Sequence, residues 1–467
     1  MPNWVSELAS IVALLVVVAV VVGRLPKVDL GHSRAFVRRR AMNWLPVGLT
    51  YAFLYMGRYN LNAAVGDGPA FLFDKQQYGT ISAFGTLTYG VSFVINGPLT
   101  DKLGGKKTIV LSAVGAGLSN LATAALVWAA MDGALVPPEK RASLVAPLSA
   151  LYAANMYFQS FGAVSIVKVN SAWFHRRERG TFGGIFGILI SLGLYFAYDW
   201  GGLIKKSAPL PFLFIVPAII LLAFAALDVW LVADTPGQAG HEDFDLDDAT
   251  QTSGEKLPMS KVALMMLKNP AIVTIALVEF CSGALRTGIL QWYKPFTNDL
   301  GRKADFVAGH WGALNCAAGI LGGILAGVLS DRLFQSRRGP MAGVLYGAMI
   351  AGCVVMYVAL PTAWVGWVVV LMSLAVIGVH GMLSGTASMD FGGKENVGLV
   401  VGVIDGFVYL GITLGFVMGR LLPKKPESAD PHAWWVWPAG MLPIAIVGFL
   451  LSLRVWNATP TRGGGGH

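Results

Sequence analysis

The chain has 467 residues, of which 55% are hydrophobic and only 13% are charged. Soluble domains contain about 25% charged residues, so this composition excludes an ordinary soluble protein and indicates a polytopic membrane protein. A formal net charge of +9 would suggest a nucleic-acid partner in a soluble protein. Here the basic residues follow the predicted membrane boundaries instead, so no nucleic acid is expected as a partner.

Apolar windows long enough to cross a bilayer recur along almost the whole chain, and we count about thirteen of them. They begin near residues 4, 43, 78, 108, 145, 180, 211, 271, 307, 341, 364, 397 and 434. No small-residue cleavage site follows residues 4–22, so these predict an additional membrane helix and not a signal peptide. The basic residues Arg34, Arg38, Arg39 and Arg40 then predict a cytoplasmic link, with the N-terminus outside and the C-terminus in the cytoplasm.

The second window contains a charge at a depth where lipid disfavours it. Arg58 lies inside the apolar stretch Trp44 to Val65. Such a charge costs at least about 2.5 kcal/mol unless it faces a cavity and meets an anion, so Arg58 is a candidate functional residue. Tyr55 and Tyr51 precede it at spacings that place all three near one helix face. Asn62 follows, and it is expected to orient the arginine or its ligand.

The chain repeats itself after about 230 residues, which indicates two related halves. The sequence GPLTDK at Gly97–Lys102 returns as GVLSDR at Gly327–Arg332. A second buried arginine, Arg286, follows Arg58 by about 228 residues, so the two are pseudo-symmetric partners. A guanidinium pairs with phosphate oxygens two at a time and stays charged at any working pH. The pair therefore predicts a clamp for a doubly charged anion.

The repeated motif also places charges at helix ends. Asp101 is followed by Lys102, and Asp331 is followed by Arg332. These charges are expected to bridge neighbouring helix ends in one conformational state and to separate in the other. For the basic residues, simple anchoring by positive charge on the cytoplasmic side is the alternative.

One hydrophilic and acidic stretch, residues 234–268, divides the chain and predicts a cytoplasmic linker. The predicted domains follow from it. They are an additional helix with its basic link (1–40), a first six-helix bundle (41–233), the linker (234–268), a second six-helix bundle (269–457) and a tail (458–467). The run Gly463–His467 in the tail resembles a scar left by cloning. The fold class is therefore an all-α polytopic membrane protein.

Around the arginines, the sequence resembles the organophosphate:phosphate antiporter family of the major facilitator superfamily. The resemblance covers about residues 43–456. It rests on YAFLYMGRYNLNAA, YGVSFVINGPLTDK, YFQSFG, WFHRRERG, LRTGILQW and GFVYLG. It implies the major facilitator fold, with substrate bound between two bundles, and exchange of inorganic phosphate for a metabolite such as a glycerol or hexose phosphate.

The resemblance also implies roles for individual residues. Arg58 and Arg286 match the two phosphate-binding arginines. The positions that match pocket aromatic residues are Tyr51, Tyr55, Tyr89, Tyr409 and Tyr157, the last falling where the family often has tryptophan. Two positions depart from the family, since its second-span lysine is replaced by Phe93 and its fifth-span histidine by Ile190. These departures weaken the inference to a standard sugar-phosphate substrate.

Two acids lie within predicted spans. Glu279 precedes Arg286 by two helical turns on the same face and is expected to pair with it when substrate is absent. Asp405 lies in the eleventh span of the repeat. Either acid could instead carry a proton, because burial favours a neutral carboxyl, and for Asp405 helix packing is a further alternative. His380 is expected to be structural, and Lys168 to extend to the membrane surface.

The motifs of an enzyme are missing from the sequence, which has no nucleophile–base constellation, phosphate-cradling glycine loop or metal-ligand spacing. No enzyme activity, cofactor or metal is expected. The prediction is a monomeric secondary transporter in the bacterial inner membrane, with an organophosphate, inorganic phosphate and the lipid bilayer as partners. Two alternatives stay open: a proton-coupled transporter of a carboxylate, phosphonate or sulfonate, and a transporter-like organophosphate sensor.

Overall fold

The architecture comes from a computed structural model, which describes residues 31–66, 72–133, 135–175, 188–189, 191–243, 268–334, 337–383 and 388–457. The predicted additional helix at residues 4–22 and most of the predicted linker lie outside the described residues.

The first half consists of helices α1 (Arg34–Tyr59), α2 (Lys75–Leu103), α3 (Gly105–Ala130), α4 (Pro138–Ser171), α5 (Gly201–Ser207) and α6 (Phe212–Leu231). A 3₁₀ turn, Asn60–Ala64, follows α1. Helical residues 191–195 and the π-helical turn Phe196–Trp200 lead into α5. The Ser33 side chain accepts a hydrogen bond from the Phe36 N–H, which starts α1 at Arg34 and places the basic link residues in its first turns.

The second half repeats this order. Its helices are α7 (Pro270–Asp299), α8 (Trp311–Phe334), α9 (Arg338–Ala359), α10 (Trp364–Met382), α11 (Ser388–Met418) and α12 (Val436–Arg454). A short helix, Phe306–Gly309, precedes α8, and 3₁₀ turns at Gly419–Leu421, Glu427–Ala429 and Pro431–Trp435 connect α11 to α12.

Within the described residues, 8 helical segments are long and apolar enough to cross a membrane. They belong to α3, α6 and all six helices of the second half. Helices α1, α2 and α4 have 26, 29 and 34 residues, so their length would also suffice. Polar side chains on their buried faces, such as Asn155 and Gln159 of α4, make them less apolar.

The two halves approach most closely where α2 crosses α11, and glycine makes this contact possible. A Cβ atom on Gly90 would lie 3.0 Å from the Gly406 carbonyl oxygen, and a Cβ on Gly406 would lie 3.1 Å from the Gly90 carbonyl oxygen. Gly79 lies against the Phe416 carbonyl in the same way. Small residues let the backbones of membrane helices touch directly, so the halves are in close contact along this line.

Hydrogen bonds and an ion pair join the halves at the end where α2 begins and α7 ends, which the charge pattern predicts to be the outer end. Lys75 forms an ion pair with Asp299, and both side chains are only 3% exposed. The Asp199 carboxylate, just before α5, accepts the N–H groups of Gly312 and Ala313 at 2.8 and 2.9 Å. It therefore caps the first turn of α8 from across the interface, where the helix dipole favours an anion.

Replacing Asp199 with asparagine should loosen this outer end. Asparagine keeps one acceptor oxygen but turns the other group into a donor, which costs about 1–3 kcal/mol at a buried N–H. Cys316 lies one turn further along α8 and is fully buried. Its labelling by a membrane-impermeant maleimide should become several-fold faster in a chain where Cys281 and Cys353 are serine.

The exposed Asp132, in the loop between α3 and α4, offers a matched control. Asp132→Asn removes the same charge from a surface site and should leave the labelling rate of Cys316 unchanged. Equal labelling rates for Asp199→Asn and the parent chain would show that the cap does not hold this end closed.

At the opposite end, the first copy of the repeated motif lies in a charged contact within the first half. The Lys168 Nζ atom of α4 donates to Asp101 Oδ1 of α2 at 2.8 Å. Lys168 therefore bridges two helix ends. In the second copy, Arg332 is exposed, and the side chain of Asp331 lies outside the described residues.

Candidate anion-binding site between the halves

Arg58 lies in the last turn of α1 and is 1% exposed. Its Nε donates to Gln159 Oε1 at 2.9 Å, and its Nη2 donates to the Tyr89 hydroxyl at 2.9 Å. Its Nη1 donates to the hydroxyl of Tyr409, which belongs to the other half. The guanidinium also lies over the ring of Tyr55, 4.6 Å from its centroid. All of these described partners are neutral, so none of them balances the charge of the arginine.

Helix α4 holds the end of α1 in place. The Asn155 side chain donates to the Gly57 carbonyl at 2.9 Å, and the Tyr152 hydroxyl donates to the Arg58 carbonyl at 3.0 Å. Asn155 also accepts a hydrogen bond from the Gln159 amide at 2.9 Å. These carbonyls lie in the last turn of α1, where they have no regular helical donor. The backbone and the side chain of Arg58 are thus fixed by the same face of α4.

Arg286, on α7, is 3% exposed. It lies within electrostatic range of Tyr55, Tyr59 and Tyr409. Its Nε has no hydrogen-bond partner within the described residues. Tyr55 and Tyr409 are therefore close to both arginines, one from each half. A buried N–H without a partner is rare, and here it is a donor available to a ligand.

Most of the predicted aromatic residues come together around this pair. The Tyr51 and Tyr55 rings meet edge to face with centroids 5.3 Å apart, and the Tyr89 and Tyr409 centroids are 3.9 Å apart. Phe93, at the position where the family has lysine, is buried against Tyr89 at 4.7 Å. An aromatic ring therefore occupies the position at which the family has a third cation, the lysine, near the two arginines.

Two residues that were predicted to line the substrate site, Tyr157 and Asn62, make their described contacts outside the arginine cluster. Tyr157 packs edge-on against Phe158 and Phe161, and none of its described ring contacts is with the arginine cluster. Asn62 donates to the Gln291 carbonyl at 3.1 Å and so connects the halves on the predicted outer side of the cluster. Ile190, at the family's histidine position, lies outside the described residues.

The two buried acids differ in their surroundings. Asp405 is 8% exposed and lies within electrostatic range of Tyr51 and Tyr89, at the edge of the cluster. The expectation that Glu279 pairs with Arg286 is wrong for this structure, because the Glu279 Oε2 atom lies 3.0 Å from Nδ1 of His380. Helix α10 turns His380 toward Glu279, and spacing along α7 alone could not indicate this neighbour.

Several residues that hold the site escaped the sequence reasoning. Tyr152, Asn155 and Gln159 share one face of α4, since their spacings of three and four correspond to successive helical turns. A polar stripe in an otherwise apolar span was the signal that could have identified them. Asp199 had no such signal, because its partners are backbone N–H groups of a distant helix.

Comparison with known protein families identifies the superfamily of the chain. Residues 47–416 match the sequence model of the Major Facilitator Superfamily. The chain belongs to the Major Facilitator Superfamily. The prediction of an all-helical major facilitator fold is thereby confirmed, as is the expectation that the protein is a multi-pass membrane transport protein and not an enzyme.

Curated relatives confirm the more specific resemblance to the organophosphate:phosphate antiporter family. The chain is 26% identical to a glycerol-3-phosphate transporter of Bacillus subtilis, over 84% of this chain and 89% of the relative. It is 26% identical to the hexose-6-phosphate:phosphate antiporter of Escherichia coli K12, over 79% of each. It is also 25% identical to the membrane sensor protein UhpC of Salmonella typhimurium, over 90% of this chain and 92% of the relative.

A solved structure shares the fold. It is the inward-facing, unoccupied form of a bacterial homologue of the human lysosomal transporter Spinster. The TM-score is 0.67 at 14% identity, and the match covers 93% of this chain and 100% of that chain. At this identity the likeness supports the fold alone.

Proposed function

We propose that the protein is an alternating-access antiporter that exchanges a phosphorylated small metabolite for inorganic phosphate. The observation that carries this proposal is the pair of buried arginines, one from each half, whose described partners are neutral hydroxyl, amide and aromatic groups. The names of the relatives add the substrate class, since they include transporters of glycerol phosphate and hexose phosphate.

Electrostatics favours a dianion as the ligand. Among the described residues, neither buried guanidinium group has a paired carboxylate. This is costly in a medium of low dielectric constant, and a bound anion relieves the cost. Asp405 is the one acid described near the cluster, so it offsets at most one of the two positive charges. Phosphate oxygens accept paired guanidinium N–H groups, and the free Nε of Arg286 is one such donor.

The hydroxyl groups of Tyr89 and Tyr409 act as placeholders in this mechanism. They accept hydrogen bonds from the Arg58 guanidinium, and an arriving phosphate replaces them with charged acceptors. Because the arginines belong to different halves, a ligand held by both draws the halves together and lowers the barrier to rocking. Without the anion, the arginines are bridged across the halves by a neutral hydroxyl and not by a shared charge, and we expect exchange to be faster than net transport.

Counterflow in liposomes tests the proposal. Purified protein is reconstituted with unlabelled phosphate inside, and uptake of labelled phosphate is measured without a proton gradient. We expect rapid uptake that stops when internal phosphate is omitted, and competition by glycerol phosphate or a hexose phosphate. Uptake that requires a proton gradient would instead support the proton-coupled alternative for a carboxylate, phosphonate or sulfonate.

A sensor is the second candidate, because UhpC sensor proteins are among the relatives at similar identity and coverage. In this case the arginines would bind an organophosphate without moving it across the membrane. Phosphate-dependent thermal stabilisation in detergent with no counterflow in liposomes would favour the sensor, since a ligand stabilises the folded state by mass action whether or not it is transported.

The proposal places the protein in a bacterial inner membrane as a monomer, with the N-terminus outside and the C-terminus in the cytoplasm. It retains the predicted domain limits and the additional helix before residue 31. Asp101, Asp331 and Arg332 are proposed to break and form contacts at the cytoplasmic helix ends as the halves rock. The ion pair of Asp101 with Lys168 supports the bridging of neighbouring helix ends by the first copy of the motif, here within the first half.

A further inference from the structure

Glu279 is a fully buried carboxylate inside the second half. Its side chain is 0% exposed, and Oε2 lies 3.0 Å from Nδ1 of His380. The other oxygen, Oε1, has no hydrogen-bond partner in the part of the chain that the structure describes. A buried acid in a membrane-spanning bundle is costly in its charged form unless its charge is neutralised, so this pair calls for a functional explanation.

The other described neighbours of Glu279 do not neutralise it. Tyr346 of α9 lies within electrostatic range, but its hydroxyl donates to the Val278 carbonyl at 2.6 Å. Cys281, on α7 itself, is a buried thiol. From α11 the described acid is Asp405, which lies near Tyr51 and Tyr89. His380 is therefore the titratable group that contacts the carboxylate directly.

The pair is neutral when it holds one proton, whether that proton forms a carboxylic acid or completes an imidazolium. Without that proton, the bundle contains a net buried negative charge. The His380 side chain is 15% exposed, whereas Glu279 is completely enclosed, so the imidazole is the more accessible member of the pair. We propose that the Glu279–His380 pair is a proton-binding site whose occupancy is linked to anion binding at Arg286. The proposal rests on the proposed function.

Arg286 couples the two sites. It lies on the same face of α7 as Glu279, about 10 Å further along the axis. A deprotonated pair attracts Arg286 and repels the anion, whereas the neutral pair leaves the full charge of the arginine to the ligand. At an effective dielectric constant of about 20, this interaction changes affinity about tenfold. By linkage, phosphate should bind more tightly at low pH, and bound phosphate should favour proton uptake by the pair.

The test measures inorganic phosphate binding to the purified full chain between about pH 5.5 and 8.5. Glu279→Gln imitates the neutral pair. We expect its affinity to exceed that of the wild type about tenfold at high pH, where the wild-type pair is negatively charged and the glutamine–histidine pair is neutral. Phosphate itself titrates in this range, but equally for both proteins, so the ratio isolates the pair.

Asp228→Asn is the matched control. Asp228 is also fully buried, but it lies inside the first half, where its carboxylate accepts a hydrogen bond from the Thr50 hydroxyl. It should keep the wild-type pH dependence. The proposal is overturned if Glu279→Gln keeps that dependence as well, or if Asp405→Asn abolishes it while Glu279→Gln does not.

His380→Gln provides a second variant if Glu279→Gln does not fold. It should shift the midpoint of the pH dependence, and an unchanged midpoint would argue against the pair. Failure of the wild-type protein to bind phosphate at every pH overturns the proposed function itself, and this inference with it.

Discussion

Lysine in place of Arg58 or Arg286 should reduce transport by about 100-fold or more, although each substitution keeps the positive charge. Arg58 donates in three directions, to Gln159, Tyr89 and Tyr409. A lysine ammonium cannot reach all three, nor can it present two parallel N–H groups to one phosphate. Each lost hydrogen bond to a charged group is worth about 1.5–3 kcal/mol, so two losses account for the expected decrease. Phosphate counterflow at equal membrane abundance provides the measurement.

Arg454→Lys is the matched control, since Arg454 is exposed at the end of α12. It should transport at the rate of the wild type. Near-normal counterflow by both buried-site lysine variants would eliminate the two-arginine clamp, whereas loss in one variant alone would restrict anion binding to that half.

Replacing Gly90 with leucine should also reduce transport strongly, by a different mechanism. Even a single Cβ at this position would lie 3.0 Å from the Gly406 carbonyl oxygen and 3.3 Å from Tyr409 Cβ. A larger side chain must push α11 away from α2 and displace Tyr409 from Arg58. Overpacking of this kind costs about 1–3 kcal/mol. We expect a lower melting temperature and at least a tenfold loss of counterflow.

Gly323→Leu separates this effect from the general cost of replacing a helical glycine. Gly323 is exposed on α8, and a Cβ there would have no atom within 4 Å. This variant should keep the melting temperature and the counterflow of the parent. A Gly90→Leu protein that behaves in the same way would contradict the close contact between α2 and α11.

The sequence by itself determined the fold class, the repeat and the two arginines. Membrane spans are recognisable from composition, because lipid requires long apolar segments. The arginines stood out because a charge in such a segment needs a compensating function. Their common register followed from the repeated motif. The aromatic neighbours Tyr51 and Tyr55 could be predicted because they lie on the same helix as Arg58, where spacing alone fixes the face.

Only the tertiary structure decided which residues meet across helices. Tyr157 and Gln159 are two positions apart on α4, so they point about 200° apart around the helix, and packing determines which of them faces Arg58. Glu279 had Arg286 as its predicted partner along α7, yet α10 supplies His380 at 3.0 Å. The Asp199 cap on α8 is recognised only when both halves are in place. Helical periodicity determines neighbours within one helix, whereas contacts between helices depend on their rotation and depth, which a single sequence does not encode locally.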